Sequence, residues 1–252
     1  MARRPRIIEK HFDDVQETVK QNTTPASNRI KMRIEDLKTF SPLTDNQRAF
    51  FDAYKMGDYF MMLSGSAGTG KSFISIYKAL EEVMDKGTPY YRLIIIRSAV
   101  QTRDVGFLKG TLEEKNSIYE EPYVQICADL FGKKDAYQRL SEQGFVEFTT
   151  TTALRGMTFD NAIVIADECQ NFSFQELDTV TTRIGHQSKL IFVGDTAQND
   201  LLKKSTDVTG LPEFIRIASS MDEFTRINFT SDDIVRSSLV KNYIIAKEKL
   251  SA

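Results

Sequence analysis

Eight consecutive residues match the phosphate-binding pattern G-x-x-x-x-G-K-[ST] in full. They are Gly65, Ser66, Ala67, Gly68, Thr69, Gly70, Lys71 and Ser72. Glycines let successive backbone N–H groups turn toward an anion, and a helix that begins at such a loop adds partial positive charge. Lys71 can then supply a full charge to the β- and γ-phosphates, and the Ser72 hydroxyl can ligate Mg²⁺. The pattern predicts a nucleotide-phosphate site; the alternative is an ordinary glycine-rich turn between a strand and a helix.

Two carboxylates, Asp167 and Glu168, follow the apolar run 162–166. If this run is a buried strand, we expect Asp167 to lie across from Ser72 and to hold Mg²⁺ through its water shell. Glu168 would project toward the γ-phosphate, where a carboxylate can orient and deprotonate water. The alternative is a helix start capped by acidic residues. Beside a phosphate loop, the acidic pair favours hydrolysis over transfer to a small substrate.

Five further side chains are candidates for contacting the nucleotide. The amide of Gln198 can donate to the γ-phosphate while its carbonyl accepts a hydrogen bond from the attacking water. Arg183, Arg236 and Arg155 are candidates for an arginine finger, with surface salt bridges as the alternative. Gln47 precedes the phosphate loop, and its amide can pair with the adenine edge, although Gln is also common on exposed helices.

The elements that must position these side chains alternate between short apolar runs and helical patterns. We predict strands at 59–63, 93–96, 145–148, 163–165, 190–193 and 226–229. We predict helices at 41–54, 71–84, 121–131, 135–142, 173–183, 212–220 and 231–249. This alternation predicts an α/β fold, a mostly parallel sheet with helices on both faces. Ligands of such sheets bind at the carboxyl ends of the strands, where the phosphate loop and the acidic pair both fall.

Composition narrows the class of protein. The 252 residues are 41% hydrophobic and 27% charged, which suits one globular core. With 33 Lys and Arg against 35 Asp and Glu, the net charge of -2 excludes a uniformly basic nucleic-acid binder. The two cysteines cannot form a disulfide framework, the two histidines lack zinc spacing, and no apolar run is long enough to span a membrane. We expect a cytoplasmic protein with an N-terminal extension, 1–40, and one domain, 41–252.

With these motifs in order, residues 41–249 resemble the PhoH-like family of P-loop ATPases, which look like the first RecA-like core of superfamily 1 helicases. Besides the phosphate loop, the resemblance is carried by 106–110, 114–115, 155–159, 167–171, 182–185, 194–200 and 233–236. Lys109 stands where the family usually has Pro, and Cys169 stands where it usually has Ala. Neither departure touches the proposed chemistry. A short chain such as this would suit a bacterial or phage genome.

The resemblance implies ATP and Mg²⁺ as cofactors, ATP hydrolysis, and single-stranded RNA or DNA as the partner. By matching position it implies phosphate and Mg²⁺ contacts by Lys71 and Ser72, metal binding by Asp167, water activation by Glu168, γ-phosphate sensing by Gln198 and adenine recognition by Gln47. Basic candidates for the nucleic acid are the N-terminal arm and the loop 97–115, with an ordinary surface loop as the alternative.

The length also suggests how the ATP site is completed. A chain of 252 residues has room for one such core, so we expect a homo-oligomer, with a hexameric ring favoured, in which a neighbour's arginine completes each site. The competing class is a nucleotide-dependent switch or assembly protein without a nucleic-acid substrate. A small-molecule kinase is a weaker third reading.

Overall fold

Six strands form one sheet in the computed structural model, which describes residues 31–98, 112–154, 156–195 and 210–251. They are β1 (Phe60–Gly65), β2 (Arg92–Arg97), β3 (Val146–Thr150), β4 (Ala162–Asp167), β5 (Lys189–Gly194) and β6 (Phe224–Phe229). The sheet order is β3-β2-β4-β5-β1-β6, and every pairing is parallel. The predicted strands and the parallel α/β fold are therefore confirmed. All six strands point their carboxyl ends toward the same edge, and β5 separates β1 from β4.

Seven α-helices connect or flank these strands within the described ranges. They are α1 (Asp45–Met56), α2 (Lys71–Val83), α3 (Leu112–Phe131), α4 (Ala136–Glu142), α5 (Phe174–Thr182), α6 (Leu211–Ala218) and α7 (Ser238–Ser251). Two predicted helices differ from the structure. The helix predicted at 121–131 begins nine residues earlier, with Pro122 inside it. The helix predicted at 231–249 is a short 3-10 turn, Ser231–Asp233, followed by α7.

Apolar side chains pack on both faces of the sheet. On one face, residues of α1 to α4 such as Phe50, Leu80 and Leu140 join the strands in one buried cluster. On the other face, α5 and α6 cover a second cluster that includes Phe192 and Phe214, whose ring centroids are 4.8 Å apart. Because both faces are covered, β1 and β4 are buried along their whole length, which fixes the position of their carboxyl ends.

Residues 31–40, which the sequence assigned to the extension, lie against the first face. Met32 is buried, and Phe40 makes edge-on ring contacts with Phe73 and Tyr77 of α2. The backbone N–H of Lys38 donates to the carbonyl of Leu130 at 3.0 Å, which ties this segment to α3. Among the described helices, none combines the length and the apolar character that crossing a membrane requires.

Candidate nucleotide-binding site

The phosphate loop joins the end of β1 to the start of α2, as the sequence predicts. Gly65, Gly68 and Gly70 all have positive φ, between 73° and 119°, which side chains other than glycine rarely adopt. A Cβ atom on Gly65 would lie 1.8 Å from the carbonyl oxygen of Phe229, so the loop leaves the sheet directly against the end of β6. The Ser66 N–H donates to the same oxygen at 3.0 Å. Position 65 therefore requires glycine for two reasons, namely its positive φ and the close approach of the Phe229 carbonyl.

Lys71 is the first residue of α2, and its side chain folds back over the loop. It is 8% exposed, and its Nζ donates to the carbonyls of Gly65 and Ser66 at 2.9 and 2.7 Å and to Thr69 Oγ1 at 3.3 Å. Burial lowers the pKa of Lys71, opposed by the nearby carboxylates of Asp195 and Glu168. The three loop oxygens accept the hydrogen bonds that Lys71 Nζ would donate to phosphate oxygens if a nucleotide were bound. The ammonium group therefore already points into the loop.

Asp167 ends β4 and faces the start of α2. Its Oδ1 accepts a hydrogen bond from Ser72 Oγ, and its Oδ2 accepts one from the Tyr123 hydroxyl, both at 2.9 Å. Burial and the neighbouring charge of Glu168 raise the pKa of Asp167, while the two hydroxyl donors lower it. A serine hydroxyl and a carboxylate are the hard oxygen donors that Mg²⁺ prefers when it keeps most of its waters and binds phosphates. The donor set therefore fits Mg²⁺. No cluster of three or more His, Cys, Asp or Glu ligands exists within the described ranges, at this site or at another.

Glu168 has an unusual backbone conformation for a residue with a side chain. Its φ is 55° and its ψ is 39°, in the left-handed region, which costs on the order of 1 kcal/mol. Gln170 holds the Glu168 carboxylate with a 2.5 Å hydrogen bond from Nε2 to Oε2. The Oε1 of Gln170 accepts from the backbone N–H of Asp195 at 3.0 Å. Gln170 thus ties the acidic pair to the chain that leaves β5.

Gln47 lies on α1 and is 3% exposed. Its Nε2 donates to the carbonyl of Thr69 at 2.9 Å, and its Oε1 accepts from the Leu43 N–H at 2.8 Å. Thr44 caps the same helix by accepting from the Gln47 N–H. The side chain proposed to recognise adenine therefore touches the phosphate loop directly, and each end of its amide already has one protein partner.

Two of the three candidate arginines, Arg236 and Arg183, lie at opposite edges of the sheet. Arg236 is exposed and lies against the phosphate loop, since its Cγ would be 3.1 Å from a Cβ on Gly68, whose carbonyl accepts from the Val235 N–H at 3.1 Å. Arg183 caps the end of α5, which runs from the carboxyl end of β4 back to the amino end of β5. Its carbonyl accepts from the Phe159 N–H at 2.8 Å, ahead of β4. Arg183 is therefore at the edge away from the phosphate loop.

Two of the predicted site residues, Gln198 and Arg155, lie outside the described residues. The structure adds three that the sequence did not single out, namely Tyr123, Gln170 and Asp195. Gln170 and Asp195 fall in stretches that carried the family resemblance, which was the available signal. Tyr123 belongs to an apolar face of α3, so its pattern indicates a core residue and nothing about the site.

The phosphate loop lies at the end of β1, the acidic pair lies at the end of β4, and β5 runs between them in an all-parallel sheet. This arrangement defines a RecA-like P-loop NTPase core. The chain belongs to the PhoH-like protein family, whose model matches residues 39–248, and the resemblance found in the sequence is confirmed.

Curated relatives match over most of this chain. A PhoH-like protein of Bacillus subtilis is 34% identical over 213 residues, which are 84% of this chain and 65% of that protein. A PhoH-like protein of Mycobacterium tuberculosis is 31% identical over 210 residues, covering 83% and 58%. Protein PhoH of Escherichia coli is 32% identical over 185 residues, covering 73% and 51%. The chain thus spans between 51% and 65% of the length of these relatives.

Two solved structures of Pif1 helicases are also similar in part. The crystal structure of Pif1 helicase from Candida albicans aligns with a TM-score of 0.34 and 14% identity, over 76% of this chain and 41% of that chain. A structure of Pif1 helicases on forked double-stranded DNA aligns with a TM-score of 0.32 and 13% identity, over 75% and 43%.

Proposed function

We propose that this protein is a Mg²⁺-dependent ATP hydrolase. The observation that carries the proposal is the hydrogen bond between Ser72 and Asp167, because it places a metal-binding hydroxyl and a carboxylate together at the start of α2, beside Lys71. When bound, Mg²⁺ would neutralise charge on the β- and γ-phosphate oxygens. Ser72 and Asp167 would hold it, and Lys71 would exchange its loop carbonyl partners for phosphate oxygens.

The positions of the Glu168, Gln47 and Arg236 side chains support one further role for each. Glu168 is the general base that orients and deprotonates the attacking water, with Gln170 fixing its carboxylate. Gln47 recognises the adenine edge while it braces the loop at Thr69. Arg236, beside Gly68, contacts the phosphates of the nucleotide that is bound to its own subunit. We propose Gln198 as the γ-phosphate sensor, on the chain that leaves β5.

We propose single-stranded RNA or DNA as the macromolecular partner. Arg97, at the carboxyl end of β2, lies over the ring of Tyr119 at 5.8 Å, and its charge also acts on Asp167. Surfaces that bind single-stranded nucleic acid combine positive charge with aromatic rings on which bases stack, and arginine adds cation–π contributions there. A nucleic-acid strand bound at Arg97 and Tyr119 would lie close enough to the Asp167 carboxylate to influence ATP hydrolysis.

We also propose that the protein works as a ring of identical subunits, with six favoured, acting in the cytoplasm. Arg183 supports this arrangement because it lies at the sheet edge away from its own phosphate loop. As an arginine finger it would serve the site of a neighbouring copy.

A second candidate function is a nucleotide-dependent assembly switch that needs no nucleic acid. Leu239, Tyr243 and Leu250 on α7 are 79%, 69% and 91% exposed. The same helix contacts the phosphate loop, because Ile244 Cδ1 would be 3.5 Å from a Cβ on Gly68. An apolar surface joined to the nucleotide site in this way favours association controlled by nucleotide.

The ATPase rate with and without single-stranded RNA separates these two candidates. Stimulation of several-fold that weakens as salt is raised supports the nucleic-acid-coupled enzyme, since phosphate contacts are salt-dependent. A flat response together with nucleotide-dependent assembly favours the switch. Glu168→Gln should still bind ATP but hydrolyse it at least about 100-fold more slowly, the usual contribution of a general base. Unchanged turnover in that variant would remove Glu168 from the role of base.

A further inference from the structure

Tyr123 is a fully buried tyrosine on a helix, and it contacts the proposed metal site at the Asp167 carboxylate. It lies on α3, is 0% exposed, and donates its hydroxyl to Asp167 Oδ2 at 2.9 Å. Its ring packs near Phe148 of β3, with centroids 5.8 Å apart.

The two oxygens of Asp167 therefore have different partners on different elements. Oδ1 is held by Ser72 of α2, and Oδ2 is held by Tyr123 of α3. Held at both oxygens, the carboxylate is fixed in rotation about both of its side-chain torsions. Mg²⁺ demands near-ideal octahedral geometry, so it gains most from ligands and water-holding groups that are already oriented.

We propose that Tyr123 is a positioning residue for Mg²⁺, acting through Asp167. This inference rests on the proposed Mg²⁺-nucleotide site and goes beyond it by making α3 part of that site. Tyr119, one turn earlier on α3, lies under Arg97 at the end of β2. The helix thus contacts the carboxyl ends of two neighbouring strands, and displacing it would disturb the orientation of Asp167.

The test is Tyr123→Phe, which keeps the ring and removes the hydroxyl. ADP binding is measured by calorimetry in Mg²⁺ and in EDTA, so that the readout does not depend on turnover. We expect the affinity in EDTA to be unchanged and the gain from Mg²⁺ to fall roughly tenfold, the lower end of the range for residues that orient metal-binding groups. Tyr137→Phe is the matched control, because it removes the hydroxyl of a buried tyrosine on α4 that is not one of the two described donors to Asp167. It should leave the Mg²⁺ gain unchanged.

A double-mutant cycle distinguishes positioning from general support of the fold. In an Asp167→Asn background, Tyr123→Phe should have no further effect on the Mg²⁺ gain, because its target carboxylate is gone. Equal losses of ADP affinity in Mg²⁺ and in EDTA, or a Mg²⁺ gain like that of the wild type, would overturn the role of Tyr123 alone. If the wild-type protein binds ADP equally with and without Mg²⁺, the proposed site fails and the inference fails with it.

Discussion

Gly65 shows how a single residue sets the geometry of the phosphate loop. It combines a φ of +119° with a backbone approach so close that any Cβ would overlap the Phe229 carbonyl. We expect Gly65→Ala to lower the free energy of unfolding by about 3 kcal/mol or more, because left-handed strain adds to a backbone clash that cannot relax cheaply. Urea denaturation measures this change.

Gly144 offers the matched control for that substitution. Its φ is +77°, yet nothing lies within 4 Å of the position a Cβ would take. Gly144→Ala should therefore cost only the conformational strain, about 1–2 kcal/mol. Similar losses in the two variants would mean that the contact with Phe229 adds nothing, and that conformation alone selects glycine at 65.

At the residue scale, the sequence predicts contacts between residues of known motifs. It does not predict contacts between residues that are distant in sequence and belong to no motif. The phosphate loop follows one buried strand and the acidic pair ends another, so the proximity of Ser72 and Asp167 could be expected from the sequence. Tyr123 is 44 positions from Asp167 and lies on another helix, and its pattern is that of any core aromatic. The residues next to a tyrosine in the sequence do not show whether its buried hydroxyl donates to a carboxylate or to a backbone carbonyl.

At the scale of elements, the inner strands β1, β4 and β5 are the most predictable part, because each is a short, mainly apolar run that is buried along its whole length. The start of α3 is less predictable, since Pro122 is typical of a first helical turn and the residues before it are polar. The chain after β6 also departs from a plain helical pattern. Thr230 and Asp233 form a capping box around a 3-10 turn, and these hydrogen bonds separate it from α7.

Asp233 joins that turn to α1, and this link is testable. Its Oδ2 accepts from the Thr230 N–H and from Asn46 Nδ2, both at 2.8 Å. We expect Asp233→Asn to lower the free energy of unfolding at neutral pH by about 1.5–3 kcal/mol, the range for hydrogen bonds to a charged group. Asp232→Asn, in the same turn but exposed, is the control and should change stability little.

The pH dependence of the Asp233 effect has a definite sign. Burial raises the pKa of Asp233, but the hydrogen bonds from Thr230 and Asn46 outweigh it, so the pKa in the folded protein lies below 3.8. A carboxyl group whose pKa is lower in the folded protein than in the unfolded chain stabilises the fold at pH values above its unfolded-state pKa. That stabilisation is lost as the pH falls through the folded-state pKa. The difference between wild type and Asp233→Asn should therefore shrink as the pH is lowered below 3.8. A difference that stays constant in acid would show that the charge of Asp233 is not what stabilises the link.

At the scale of the whole molecule, the proposed ring raises the question of which copy supplies each arginine. Identical subunits in a closed ring meet through two different surfaces, so a residue at the amino edge of one sheet can face the nucleotide of the next copy. Arg183 lies at that edge, whereas Arg236 lies against its own Gly68. The two arginines therefore make opposite predictions when variants are mixed.

Mixing Glu168→Gln with Arg183→Ala should restore activity to two inactive proteins. A site is complete when its own subunit keeps Glu168 and its neighbour keeps Arg183, so random equal mixing of a ring gives about a quarter of the wild-type sites. Each variant alone should be slower by at least about 100-fold, given the contributions of a general base and of an arginine finger. Mixing Glu168→Gln with Arg236→Ala should restore nothing, because both residues serve the same subunit. Rescue in the second mixture but not the first would reverse the assignment, and light scattering in ATP establishes that the mixed proteins assemble.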